Sequence, residues 1–342
     1  MKPTTPPIDP KKRSFIPPPP ELSEKAALNL IRAFACLLAL PFVFELASWF
    51  TASKTNMAAA TVRSGMQWLL THALGEGNLA VHLGREGWLF DQREIDRLVH
   101  AKRDEASLQA RLIKLAADLK AQDASLIVVA IPSRAALYPE QIRSGNYLSP
   151  VRLPEENAKL EELQAAGIDV MDTTDALWEF RDRNMVFFAQ DSHWTPDAMK
   201  AVALAVNKRV REKFPRLVSS ETPIINATIL EHTDSGDLAD QLDPLHADSL
   251  LGHEEASLMA IKGIEPDAKS PVVLHGGEWI RVFDEAGLSF GGGEKPPLAG
   301  FSTHLGMLLG KPVDVRGMPQ PGESYEGKKL VICVLAIPEL VP

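Results

Sequence analysis

SLIVVAIP, residues 125–132, decides the fold. From Leu126 to Ile131 the run never alternates with polar residues, so a strand made of it must be covered on both faces. The segment before it, Lys102 to Ala121, carries Leu108, Leu112, Leu115, Ala116 and Leu119 at the spacing of one helical face. Helix followed by doubly covered strand is the repeating unit of a parallel sheet.

The pattern recurs along the chain. NAKLEELQAAG (157–167) reads as a helix ending at Gly167, and IDVMD (168–172) as a short strand. PVVLH (271–275) is another apolar strand, and GFSTHLGMLLG (300–310), PVDVRG (312–317) and KKLVICVLAI (328–337) add a helix and two strands. The expected architecture is a three-layer α/β/α domain with a mostly parallel sheet over residues 81–342.

The N-terminal region has a different composition. Residues 1–27 hold eight prolines with Lys2, Lys11, Lys12, Arg13 and Lys25, a basic Pro-rich tail expected to be disordered. Leu28 to Phe50 is an apolar stretch that would be ~34 Å long as a helix, enough to span a bilayer. Arg32 and Glu45 lie near its ends, where charged side chains can reach the interface. A transmembrane anchor is therefore expected at 28–50, with the basic tail cytoplasmic and the remainder exported, followed by a juxtamembrane helix over 51–80. In a bacterium that places the main domain in the periplasm, on the inner membrane.

With a net charge of −9 and no long basic run, the chain lacks the electrostatic footprint of a nucleic-acid binder. Cys36 and Cys333 cannot form a metal site by themselves, and no disulfide is expected between them. His232, His246, His253, His275 and His304 are scattered without ligand spacing, so neither a metal nor another cofactor is expected.

Chemistry concentrates in FFAQDSHWTPDAMKAVA, residues 187–203. Thr195 suits an N-cap and Pro196 the first helical position; Ala198, Ala201, Val202, Ala205 and Val206 supply an apolar face. Asp191 and His193 stand just ahead of this helix start, two apart, so both can emerge on one side of an extended backbone. A carboxylate beside an imidazole fixes its tautomer and stabilises the imidazolium, which suits a general base acting on a hydroxyl. An isolated Asp-x-His is as well explained by a turn cap and a histidine packed under Trp194.

Several stretches together resemble the AlgJ/AlgX-like family, the SGNH-hydrolase-like O-acetyltransferases of alginate and other exopolysaccharides. They are GREGWLF (84–90), IPSRAALYPE (131–140), DSHWTPDAM (191–199), SGDLADQL (235–242) and AGFSTHLGMLLGKPVDV (299–315). The resemblance spans about residues 80–340 and implies Asp191 as the orienting carboxylate, His193 as the base, and a nucleophilic serine in a G-D-S-F-like segment after the strand PVVLH. Here the sequence departs from the pattern: the segment reads Gly276, Gly277, Glu278, Trp279, with Glu278 at the serine position. Ser192, Ser235 and Ser289 do not match that position. Trp194, Glu278 and Trp279 are expected to line a sugar-binding groove.

The resemblance implies a membrane-anchored, periplasm-facing protein of exopolysaccharide O-acetylation, with a polysaccharide and a membrane-embedded acyltransferase as partners. Whether it transfers acetyl groups itself or serves as an inactive polysaccharide-binding or scaffold subunit turns on residue 278.

Overall fold

In the computed structural model the described residues are 57–99, 108–220, 223–242, 251–285, 287–288 and 298–341, with isolated positions at 28, 32 and 39. The expected anchor at 28–50 lies, apart from those positions, outside the described residues. Among the described residues no helix is long and apolar enough to cross a membrane. The chain divides into two units, residues 1–63 and 64–342, and apart from the start of the first helix the architecture below belongs to the second.

Within the stretch 51–80, where a helix is expected, the described residues form α1, Met57–Leu69, followed by a π-helical turn that ends at left-handed Gly75. A two-stranded antiparallel ribbon follows, β1 Val81–Leu83 and β2 Leu89–Asp91, leading into α2, Gln92–Val99. Next come α3 Leu108–Lys120, β3 Ser125–Ile131, α4 Pro154–Ala165, β4 Asp169–Asp172 and α5 Thr174–Phe180. α6, Pro196–Lys213, precedes a second antiparallel ribbon, β5 Asn226–Asp234 with β6 Glu254–Lys262; α7, Asp237–Leu242, lies between its strands. The chain closes with β7 Val272–Gly276, the single turn α8 Glu278–Arg281, α9 Phe301–Leu309, β8 Asp314–Arg316 and β9 Leu330–Ala336.

Five strands make the central sheet in the order β4-β3-β9-β7-β8, every neighbouring pair parallel. The absence of alternation in SLIVVAIP has the structural meaning expected of it. Ile127, Val129 and Ile131 enter the core on one face, while Leu126, Val128 and Ala130 enter the core on the other. β9 repeats this: Leu330, Ile332 and Val334 join the first core, and Val331, Cys333 and Leu335 the second.

α6 and α9 cover the first face through Ala198, Met199, Val202, Val206, Phe301 and Leu305. α3 and α4 cover the second through Leu108, Leu112, Leu115, Leu119, Leu160 and Leu163. Three layers result, because strands buried twice need a helix on each side.

Counted from β7 and wrapped from β9 back to β3, the strands run 2-1-3-4-5, the order of a doubly wound sheet. The chain is thus a circular permutation of that topology, and β9, last in sequence, lies in the centre. Ligands in such sheets bind outside the carboxyl ends of the strands where the winding reverses, between strands 1 and 3. In this chain that point falls between the ends of β7 and β9, at residues 276–278 and 336–339.

Because β9 contacts both cores, cutting it back should be costly. Ile332→Ala, at a position with no exposed surface, is expected to lower the unfolding free energy by about 2–5 kcal/mol. Urea denaturation followed by circular dichroism measures the change.

Candidate active site

The loop before α6 is pinned from several sides. Trp194 bridges Phe187 across it, and the Thr195 N–H donates to the Val186 carbonyl at 2.8 Å. The Glu254 carboxylate accepts the N–H groups of Ala189 and Gln190, each at 2.7 Å. Thr195 caps α6, its hydroxyl accepting from the Ala198 N–H at 3.3 Å, with Pro196 at the first position, as the sequence requires.

Asp191 is fully buried and His193 nearly so, at 4% exposure. One oxygen of Asp191, Oδ1, lies 2.7 Å from His193 Nδ1 and accepts the His193 backbone N–H at 2.8 Å. The other, Oδ2, accepts the Asp237 N–H at 3.1 Å. Nδ1 therefore carries a proton bonded to Asp191, and Nε2 turns outward. The Asp191–His193 pairing expected from the spacing is present.

Arg134 and Asp237 support the pair, and neither was assigned a role from sequence. The Arg134 guanidinium is buried, donating to the carbonyls of Asp191 at 2.6 Å and Ala189 at 2.9 Å. It also lies over the rings of Trp88 and Phe90. Burial pulls its pKa down, opposed by the carboxylates of Glu94, Asp191, Asp237 and Glu254. Asp237 takes the Ser192 N–H and the Ser192 hydroxyl, both at 2.6 Å, so Ser192 is committed away from the imidazole.

Gly236 makes this approach possible. At φ +85° it occupies the left-handed region, and a Cβ there would come within 2.5 Å of the Gln190 carbonyl oxygen and 2.9 Å of Asp191 Cβ. Arg134 and Asp237 lie inside the family-like stretches IPSRAALYPE and SGDLADQL, but only the fold shows that both reach residue 191.

Glu278 faces the imidazole from the turn after β7. Its Oε2 stands 3.6 Å from His193 Nε2, an ion-pair separation longer than a hydrogen bond, and Nε2 has no hydrogen-bond partner. The side chain that faces the outward nitrogen is thus a carboxylate. Burial alone would lower the His193 pKa, but Asp191 and Glu278 on either side of the ring outweigh it and raise the value to about 10. The same pairing holds Glu278 below its ordinary value. At neutral pH the ring is an imidazolium between two carboxylates.

The two tryptophans part company. Trp279 is half-buried, lies edge-on to His193 at 6.3 Å, and lines a cavity of about 150 Å³ with Arg134, Ser192, His193, Glu278 and Glu339. Trp194 does not line it, which corrects its placement in a sugar groove. As the residue just before the α6 cap it is drawn into the core, with no exposed surface, stacked on Phe301 with centroids 5.6 Å apart. Ser289 lies outside the described residues. Two larger cavities, each about 390 Å³, lie elsewhere: one beside Arg111 and Tyr325, the other beside Asn184 and Glu255. Neither contains the imidazole.

Asp191, His193 and Asp237 bring one potential metal-ligand atom each within 4.8 Å of the others. Their atoms are already used: Asp191 accepts three N–H groups, and both oxygens of Asp237 are bonded to Ser192. The cluster is a closed hydrogen-bond network and lacks the free, convergent lone pairs of a metal centre.

The family of the SGNH hydrolase-like domain, acetyltransferase AlgX, matches residues 81–267, more than half the chain and inclusive of the Asp191–His193 loop. The chain belongs to this family. Its similarity to the probable alginate O-acetylase AlgJ of Pseudomonas aeruginosa is 29% identity over 249 residues, 72% of this chain and 58% of that protein. The AlgJ of Pseudomonas syringae pv. tomato is 27% identical over 184 residues, 53% of this chain and 46% of its own length. The chain therefore spans about half the length of these curated relatives. Among solved structures, the O-acetyltransferase domain of Pseudomonas putida AlgJ superposes with a TM-score of 0.55 at 18% identity, covering 76% of this chain and 92% of that one. Pseudomonas aeruginosa AlgX gives 0.51 at 16%, covering 75% and 61%. Both likenesses concern the fold. The matched family region stops at 267, before the turn that carries Glu278.

The raised His193 pKa sets a pH dependence. A group protonated more readily when folded than its ordinary 6.5 adds stability that is complete below about 6.5 and is lost as pH climbs toward about 10. Chemical denaturation across that window should show stability falling with pH. In Glu278→Gln the fall should be shallower and end at lower pH, and imidazole NMR titration should show the His193 midpoint moved down.

Proposed function

We propose that this chain serves the O-acetylation of a secreted exopolysaccharide and holds the polymer in its cleft without forming an acyl-enzyme. Membership of the AlgX-type family and similarity to probable alginate O-acetylases support the process. One observation carries the loss of covalent chemistry: the Glu278 carboxylate stands 3.6 Å from His193 Nε2, where a serine hydroxyl would be needed.

A general base works by taking a proton from its nucleophile. Ionised Glu278 has none to give, and a protonated His193 has no lone pair to take one. Attack by the carboxylate itself would produce an anhydride, a far more reactive acyl group than an ester. The Ser192 hydroxyl, bonded to Asp237, does not replace the missing group. What remains is a small polar cavity with an aromatic wall at Trp279, the composition of a sugar-binding site.

The setting belongs to the same proposal. The apolar stretch 28–50 with its basic leader supports a single-pass anchor that leaves the α/β domain in the periplasm. There the domain would present the polymer to a membrane-embedded acyltransferase that supplies the acetyl group. A periplasm-dependent reporter fused after Pro342 is expected to be active, and activity of a cytoplasm-dependent reporter at that position would refute the topology.

Restoring the hydroxyl tests the site itself. In Glu278→Ser the serine Oγ would attack an acetyl ester, pass its proton to His193 Nε2 and expel the alcohol. A burst of acetyl-enzyme with p-nitrophenyl acetate is expected in this variant, none in the parent, and none in Glu278→Ser/His193→Ala. A His193-dependent burst in the parent would overturn the proposal in favour of an active transferase.

A further inference from the structure

We propose that Leu69, Leu74 and Leu79 insert into the surface of a lipid bilayer, giving the α/β domain a membrane contact of its own. The inference rests on the single-pass anchor proposed above and names the surface through which the anchored domain meets the membrane.

Exposed leucines that recur within one short stretch mark a surface meant for a partner or a membrane. Leu69 is 42% exposed, Leu74 65% and Leu79 100%. Local hydrogen bonds keep them outward. Leu69 ends α1 and Leu74 ends the π-helical turn, whose inner side is closed by polar groups. Gln67 Nε2 donates to Thr71 Oγ1 at 3.0 Å and to the Gly77 carbonyl at 3.2 Å, and the buried Thr71 hydroxyl donates to the Glu76 carbonyl at 3.1 Å. Leu79 belongs to the next turn, where Asn78 Oδ1 accepts the N–H groups of Ala80 and Val81, each at 2.8 Å. Polar groups thus hold the inside of this segment and leucines face out, the reverse of an ordinary surface turn.

Three further observations select a bilayer as the occupant. From Ser64 to Val81 the only ionisable side chains are His72 and Glu76, so almost nothing charged has to leave water when the leucines do. Trp68, partly exposed beside Leu69 and stacked on His72 with ring centroids 4.9 Å apart, supplies the amphipathic ring that settles at headgroup level. The third is chain connectivity. The apolar stretch 28–50 ends seven residues before Met57, a link of at most about 25 Å, and α1 adds about 20 Å. So short a tether keeps the leucines within reach of the membrane that the anchor enters. The contact also bears on the cleft. Asn78 Nδ2 donates to the carbonyls of Gln241 at 2.9 Å and Leu242 at 3.3 Å, fastening the segment to the end of α7, whose first residue, Asp237, bonds Asp191 through its N–H.

The test uses the full chain carrying Cys36→Ser, reconstituted in vesicles of phosphatidylethanolamine and phosphatidylglycerol, with the fluorophore NBD attached singly at Leu74→Cys, Leu79→Cys or Leu148→Cys. Cys333 has no exposed surface and stays unlabelled. Leu148, 85% exposed and outside the segment, is the control of equal chemistry. At 74 and 79 the emission is expected to shift to the blue, and lipid brominated near the headgroup end of its chains should quench it at least about twofold more than at 148. Water-like emission at 74 and 79, or equal quenching at all three sites, overturns the bilayer contact and leaves the anchor standing. A blue shift without bromolipid quenching also overturns it, because a second copy or another protein then covers the leucines. Failure of the parent chain to float with the vesicles overturns the anchor, and the bilayer contact falls with it.

Discussion

A carboxylate with no exposed surface is costly to bury, and the protein answers Asp191 with three N–H donors and a nearby guanidinium. The surrounding geometry follows from that need. To bring the His193 N–H and Nδ1 to one oxygen the loop must fold back on itself, and Glu254 holds it there through Ala189 and Gln190. To bring the Asp237 N–H to the other oxygen, α7 must start against the same loop, which only a glycine at 236 permits. Arg134 joins β3 to this assembly by taking up two of the loop's carbonyls.

Permutation of the sheet explains how distant parts of the chain meet in one cleft. β7 takes the first-strand place and β9 the third, so their ends form the crevice where the winding reverses. The Asp191–His193 loop comes from the long insertion between β4 and β7 and arrives over that crevice from outside the sheet. Hence His193 precedes Glu278 by a long stretch of sequence, although the two face each other in space at 3.6 Å.

Features governed by local periodicity or local caps were legible in the sequence. SLIVVAIP and KKLVICVLAI showed their double burial by the absence of alternation, and Thr195-Pro196 showed the start of α6. Glu278, singled out in the sequence, stands opposite His193. Less legible were interactions whose partners lie far apart in the chain. Arg134 follows Ser133 in a short helical turn and donates its hydrogen bonds to backbone carbonyls more than fifty positions away, so its role shows only in the fold. The β5–β6 ribbon escaped notice because β5 is largely exposed, and NATILEHTD mixes apolar and polar residues without a clean period. Trp194 was misplaced because a tryptophan beside a catalytic-type motif reads equally as a sugar platform or as core, and only packing against Phe301 decides.

An orienting carboxylate and histidine without a nucleophile would be puzzling if the pair served catalysis alone. Here the pair has a second duty, because His193 supplies two of the three N–H groups that make the burial of Asp191 tolerable. Replacing the opposing group at 278 leaves that duty untouched: Glu278 is 60% exposed at its side chain and reaches only the outer nitrogen. A carboxylate there also stabilises the imidazolium that Asp191 already favours, so the outward face of the ring becomes a fixed hydrogen-bond donor. On the proposed reading the cleft keeps its shape and its directed N–H without the proton acceptor that acyl transfer through a serine requires. A rigid floor and one aromatic wall suit the holding role proposed for the cleft, and they arise from the same buried charge that would otherwise orient a base.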